Sequence, residues 1–208
     1  MKDIGNDREG FSLIELLVVL AISAILLSGI YSVYSTNQKV FTSQQQVVEM
    51  EQNLRAANFM LVNDLRMAGY DPTRAANAGI VTLGANTITI TKDSNSNGVL
   101  DADENITYSL DGTQKLLRTT TTADVIADNI DALDFVCLDG VGVVTTTPAD
   151  VRSIQISIVA RTTHRTSDGF VNNTPYDNLQ GTTIYTAPDD TFRRRMLTSW
   201  IKCRNLGL

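Results

Sequence analysis

The chain has 208 residues, enough for one long helix and one globular domain of ordinary size. Its formal net charge is -6 and its pI is about 4.7. That acidic balance argues against a nucleic-acid partner, which needs clustered Lys and Arg. The basic run Arg193, Arg194, Arg195 falls in a strand-like segment and reads as a solvated face or an ion-pair partner for the acidic domain.

Residues Phe11 to Tyr31 read FSLIELLVVLAISAILLSGIY, 21 residues with the single charge Glu15. About 20 apolar residues at about 1.5 Å rise cross the roughly 30 Å hydrocarbon core of a bilayer. A cleaved signal peptide would show a positive leader, a shorter apolar stretch and a small-x-small site after it. Met1 to Gly10 instead carries Lys2 and Arg8 against Asp3, Asp7 and Glu9, and the helical pattern runs on without a break. A carboxylate inside such a stretch costs several kcal/mol unless it finds a partner, so Glu15 is a functional candidate.

The heptapeptide Gly10-Phe11-Ser12-Leu13-Ile14-Glu15-Leu16 is similar to the prepilin signature of type IV pilin-like proteins. The resemblance implies cleavage after Gly10 by a membrane prepilin peptidase and methylation of the new amino terminus on Phe11. It also implies that Glu15 meets that α-amino group in a neighbouring subunit. Opposite charges in a low dielectric both need partners, and the pairing would set the axial register of one helix on the next. The leader is more acidic than is usual in the family, and no proline precedes Pro72 where major pilins often carry one.

No Pro or Gly interrupts Ile30 to Ala68. Val47, Met50, Leu54, Ala57, Leu61, Leu65 and Ala68 form one apolar stripe in steps of three and four. Gly69 is a natural C-cap, with Pro72 shortly after. The segment Asp64 to Tyr70 resembles the helix end of W-type minor pilins, and Arg194 to Trp200, followed by Arg204-Asn205, resembles their terminal strand.

Beyond Pro72, short strands are predicted at Gly79–Leu83, Thr87–Thr91, Ile106–Leu110, Lys115–Thr119, Ala132–Leu138 and Ser153–Arg161. Ala123 to Ile130 reads as a short helical turn or loop. Thr162 to Asp190 reads as a long exposed loop with a hairpin in it. Phe192 to Arg204 reads as a final strand, although its periodicity also allows a helix. The fold class is α+β: one long N-terminal helix packed on an antiparallel sheet, the pilin fold that the resemblance implies. The divisions are a leader at 1–10, a transmembrane and assembly half-helix at 11–35, an amphipathic half-helix at 36–70, and a β-rich domain at 71–208.

Between the second and third of these strands, Asp93-Ser-Asn-Ser-Asn-Gly-Val-Leu-Asp-Ala-Asp-Glu104 matches the spacing of a twelve-residue calcium loop. Asp93, Asn95 and Asn97 stand at the first, third and fifth positions, and Gly98 makes the turn. Val99 offers its carbonyl, Asp101 stands at the ninth position and Glu104 closes the loop. The strand-like flanks rule out a helix-loop-helix sensor; a structural calcium ion that stiffens the hairpin is expected here over the plainer reading of a polar hairpin turn. Cys137 and Cys203 lack a C-x-x-C spacing. They form a disulfide if the domain lies outside the cytoplasm, or else are two small buried side chains.

No phosphate loop, nucleophile elbow or zinc motif is present, and His164 stands alone in a polar stretch, so an enzyme is not expected. The resemblance implies a minor pilin that takes part in pilus assembly initiation or in the filament tip. Its partners would be prepilin peptidase and other pilin subunits, met through the helix. It would sit in the inner membrane before assembly and at the cell surface after it. A minor J-type pseudopilin of a type II secretion system shares these features. A membrane-anchored extracytoplasmic calcium-binding module is the alternative of another class.

Overall fold

A computed structural model describes residues 10–207. The leader residues 1–9 lie outside the described part. One helix, α1, runs from Leu13 to Met67. Ten strands follow: β1 Ile80–Leu83, β2 Thr87–Thr91, β3 Asn105–Leu110, β4 Leu116–Thr119, β5 Ala123–Ala127, β6 Ile130–Leu138, β7 Ser153–Arg161, β8 Pro175–Asp177, β9 Thr183–Thr186 and β10 Arg194–Lys202. They make a five-stranded antiparallel sheet in order β1-β2-β3-β4-β5, a three-stranded antiparallel sheet in order β10-β7-β6, and the β8-β9 hairpin.

The chain divides into two units, residues 1–42 and 43–208. In the first, the described apolar side chains of α1, such as Leu16, Leu20 and Leu27, face outward. Among the described residues, α1 is the one helix long and apolar enough to cross a membrane.

The second unit has its own core. The stripe predicted on α1 is buried from Met50 through Leu54, Ala57, Leu61 and Leu65 to Ala68, with Val47 partly buried against it. These side chains meet Ile88, Ile90, Ile106 and Tyr108 of the first sheet and Leu133, Phe135, Ile154, Ile156, Ile158 and Ile201 of the second. The alternation in β7 works as expected: Ile154, Ile156 and Ile158 share one face across from Cys137, Phe135 and Leu133 of β6. Gly69 ends the helix at φ +77°, and a Cβ there would come within 2.5 Å of Leu206 Cδ2. Only glycine fits both the backbone and the space.

Two expectations are corrected. Ala123–Ile130 is not a helical turn: Ala123–Ala127 pairs with β4 as a strand, and Ile130 opens β6. The run Ala-Asp-Val-Ile-Ala has no clean alternation, because its first three residues are all exposed, so the ladder to β4 decides its conformation. The predicted strands also do not make one sheet. They divide in two, since β5 and β6 are adjacent in sequence but pair into different sheets.

Candidate functional site

Two places carry the residues singled out from the sequence. The first is the start of α1. Ser12 precedes the first helical residue, and its N–H donates to Glu15 Oε2 at 3.0 Å, while its carbonyl accepts from Leu16 N at 3.2 Å. Glu15 therefore closes half of a capping box on its own helix. That role was readable in the S-x-x-E spacing and was missed. It leaves Glu15 Oε1 without a partner among the described residues. Phe11 and Glu15 are both exposed.

The second place is the β2–β3 loop. Asp93 and Glu104 are buried at its base, while Asn95, Asn97 and Asp101 are exposed. Asp93 accepts from the N–H groups of Asn97 (3.2 Å) and Gly98 (3.0 Å). Asn95 Oδ1 accepts from Asn97 N and Asn97 Oδ1 from Val99 N. Glu104 reaches across the loop to Ser94 N (2.7 Å), Asn95 N (3.2 Å) and Asp101 N (3.1 Å). Asp101 Oδ2 accepts from both Asn side-chain amides. Gly98 takes φ +79°, the turn its position requires. The donors are all oxygen, which suits a hard cation such as calcium. In this geometry the same oxygens are shared among N–H groups of the loop. Among the described residues, no three Asp, Glu, His or Cys side chains converge as a group able to hold a metal ion.

The expected Cys137–Cys203 bond is not formed; both residues are buried free thiols. Cys137 lies on β6 and Cys203 just past β10, and β7 runs between them. Cys137 stands level with Ile201, two residues before Cys203, so more than two inter-strand spacings of about 4.8 Å separate the two backbones, beyond the roughly 7 Å reach of a disulfide. Burial pushes the Cys137 thiol up to about 11 and, with the charge of Cys137 as a smaller contribution, the Cys203 thiol up to about 12. His164 is exposed, as read from the sequence.

Two polar clusters escaped the sequence. Asp64 of α1 accepts from Tyr108 OH (2.7 Å), Arg118 Nε (2.8 Å) and Lys92 Nζ (3.2 Å), which ties the helix to β3, β4 and the residue after β2. Arg194 is fully buried on Asp131 (2.6 Å) and Asp190 (2.6 and 2.7 Å). Beside it, Arg193 pairs with Asp168 and Arg195 with Glu51, so all three arginines of the basic run are ion-pair partners. A helix-to-strand contact between residues far apart in sequence leaves no local signal; only the oddity of a charge in a strand pointed to Arg194.

The match to known proteins agrees with this architecture. Residues 5–31 match the prokaryotic N-terminal methylation motif. The chain is 29% identical over 97 residues to prepilin peptidase-dependent protein B of Escherichia coli (strain K12), covering 46% of this chain and 52% of that protein. It thus spans about half the length of that curated relative. A type IV-like pilin from Thermus thermophilus superposes with a TM-score of 0.54 at 13% identity, over 76% of this chain and 98% of that one. The chain thus joins a prokaryotic N-terminal methylation motif over residues 5–31 to the pilin fold, one long helix against antiparallel sheets.

Proposed function

We propose that this chain is a minor pilin of a type IV pilus, cleaved after Gly10 by prepilin peptidase and methylated on Phe11. It would then be built into the filament at the stage of initiation or at the tip. The observation that carries the reading is the motif over residues 5–31 with Glu15 alone among apolar residues. The peptidase dependence in the name of the Escherichia coli relative supports the processing step. The exposed apolar surface of α1 in its first unit supports a membrane stage followed by helix-on-helix packing. The lack of proline before Pro72 favours a minor pilin or pseudopilin over a major one.

A structural calcium site is part of the proposal. Asp93, Asn95, Asn97, the Val99 carbonyl, Asp101 and Glu104 would hold the ion. Bound calcium would supply a fixed double charge that stiffens the β2–β3 hairpin outside the cell. Spacing and all-oxygen donors support it.

The test is intact-mass and peptide mass spectrometry of the chain purified from membranes of a host with prepilin peptidase. A chain that begins at Phe11 with one added methyl is expected, and one that keeps Met1 to Gly10 overturns the reading. Glu15→Leu is expected to leave cleavage intact and to deplete the chain from sheared filaments. Normal incorporation would refute the assembly role. Recovery from pili rather than from a secretion filament separates the minor pilin from the minor pseudopilin.

A further inference from the structure

The sheet edges of the second unit are not alike. β1 has four residues and a register shift, and β5 has five residues and a register shift. The free side of β6 is engaged by other backbone: Phe135 N donates to the Ala85 carbonyl, Thr145 N donates to the Cys137 carbonyl, and Val144 bridges Leu138. β10 differs from all three. It is nine residues long, in unbroken register with β7 from Arg194↔Arg161 to Lys202↔Ser153, and contains no proline. Long regular edges are what natural sheets normally shorten, kink or cover.

The register shows which groups of β10 are free. Just beyond its ends, Thr162 N donates to the Arg193 carbonyl and Cys203 N to the Arg152 carbonyl, both at 2.9 Å. Those are directly opposed pairs, so the odd-numbered residues of β10 turn their N–H and C=O groups toward β7. The even-numbered residues Met196, Thr198, Trp200 and Lys202 turn theirs outward, and among the described residues none of these backbone groups has a partner.

The surroundings of the edge define its occupant. α1 runs alongside β10, held by Arg195–Glu51 (3.3 Å), Ser199 Oγ to Asn58 Oδ1 (2.8 Å) and Asn205 Nδ2 to the Arg66 carbonyl (3.4 Å). Between and beyond these contacts stand Arg55, Arg66, Arg195, Lys202 and Arg204, all exposed. Glu51 is the one acidic side chain bonded among them, and it is shared by Arg55 and Arg195. This is a basic margin on a chain of net charge -6. Two large apolar side chains are open beside it: Phe59 of α1 (66% exposed) and Trp200 of β10 (69% exposed).

We propose that the free edge of β10 is a strand-addition site for an extended, carboxylate-bearing segment of a different subunit, not a second copy of this chain. The incoming backbone pairs with Met196, Thr198, Trp200 and Lys202. Its acidic side chains meet the basic margin and its apolar ones cover Trp200.

Trp200 is the sole tryptophan of the chain and stands on this edge, so its emission reports occupancy directly. The unprocessed full chain in neutral detergent is titrated with a peptide of alternating Glu and Val, and separately with its Lys/Val counterpart. A saturable blue shift is expected with the Glu/Val peptide, at least tenfold tighter than with Lys/Val. Thr198→Pro removes one outward N–H without touching the β7 ladder and is expected to abolish the shift. Arg55→Glu with Arg195→Glu, on the α1-facing side where the Glu side chains of an alternating strand lie when its Val side chains cover Trp200, is expected to reverse the peptide preference, which keeps the test open if the proline variant fails to fold. No saturable shift, equal affinity for both peptides, or full binding by a folded Thr198→Pro each overturns the proposal. A shift that grows with protein concentration alone would make the occupant a second copy and overturn it as well. Processing plays no part in the measurement, so its failure leaves the pilin reading intact.

Discussion

Removing the Asp64 carboxylate should detach α1 from the first sheet more severely than its single charge suggests. Asp64 is 15% exposed and holds three donors at once: the fully buried Tyr108 hydroxyl, Arg118 (23% exposed) and Lys92 (21% exposed). In Asp64→Ala, all three lose their acceptor. Breaking one side of a buried pair costs about 3–5 kcal/mol. Because Arg118 and Lys92 keep some water, the low end of about 3 kcal/mol applies. With a urea m-value of about 2 kcal/mol/M, the midpoint should fall by about 1.5 M. Tyr108→Phe removes one charge-assisted hydrogen bond of the three and should lower the midpoint by no more than that, about 0.75–1.5 M. The two changes should be less than additive when combined, since both act on one network.

The pH dependence gives an independent check. Burial pushes the Asp64 carboxyl up, but the hydrogen bonds from Arg118 and Tyr108 and the charges of Lys92 and Arg118 outweigh it, so it titrates below its usual 3.8. A depressed folded-state value means that the stabilisation is complete above pH 3.8 and is lost as pH falls through the folded value. The acid limb of the wild-type stability curve below about pH 4 should therefore be steeper than that of Asp64→Ala. The assay is urea unfolding of the full chain in neutral detergent, followed by circular dichroism. A midpoint shift under about 0.3 M, or parallel acid limbs, would refute the account.

Three further outcomes are expected. Arg194→Leu leaves buried Asp131 with only Arg161 at 3.4 Å and the Gln114 amide at 3.2 Å and frees Asp190, at a cost of about 3–5 kcal/mol in urea unfolding. Arg194→Lys should recover only part of this, because one ammonium cannot reproduce the fork that serves both carboxylates; full recovery would show that charge alone suffices. At pH 8 the thiols of Cys137 and Cys203, held up at about 11 and about 12 by burial, should resist iodoacetamide in the folded chain and react once it is unfolded. A disulfide-linked peptide pair, or fast labelling of the folded protein, would contradict the arrangement. Calcium at a hundred times its dissociation constant should raise the stability of the wild type by about 2.7 kcal/mol and leave Asp93→Ala with Glu104→Ala unmoved. A wild-type melting temperature indifferent to calcium would mean that the loop's own hydrogen bonds suffice.

How much of this was legible beforehand depends on the range over which each signal acts. The amino-acid order by itself determines what is local. The helix and its buried stripe from Met50 to Ala68, its stop at Gly69, the alternation of β7, and the Gly10-to-Leu16 motif with its one carboxylate all rest on periods of 3.6 or 2, or on contiguous residues. The S-x-x-E cap at Ser12 was equally local and was simply not read. Tertiary structure alone decides which strands share a sheet, that Ala123–Ala127 is one of them, and that β7 parts the two cysteines. It alone brings Asp64 to Tyr108 and buries Arg194, the member of an all-arginine run that meets Asp131 and Asp190. It also leaves the edge of β10 unpaired. Those features depend on which backbone hydrogen-bonding groups find partners far along the chain, and the identity of a residue and its near neighbours carries no information about a partner 40 or 60 positions away.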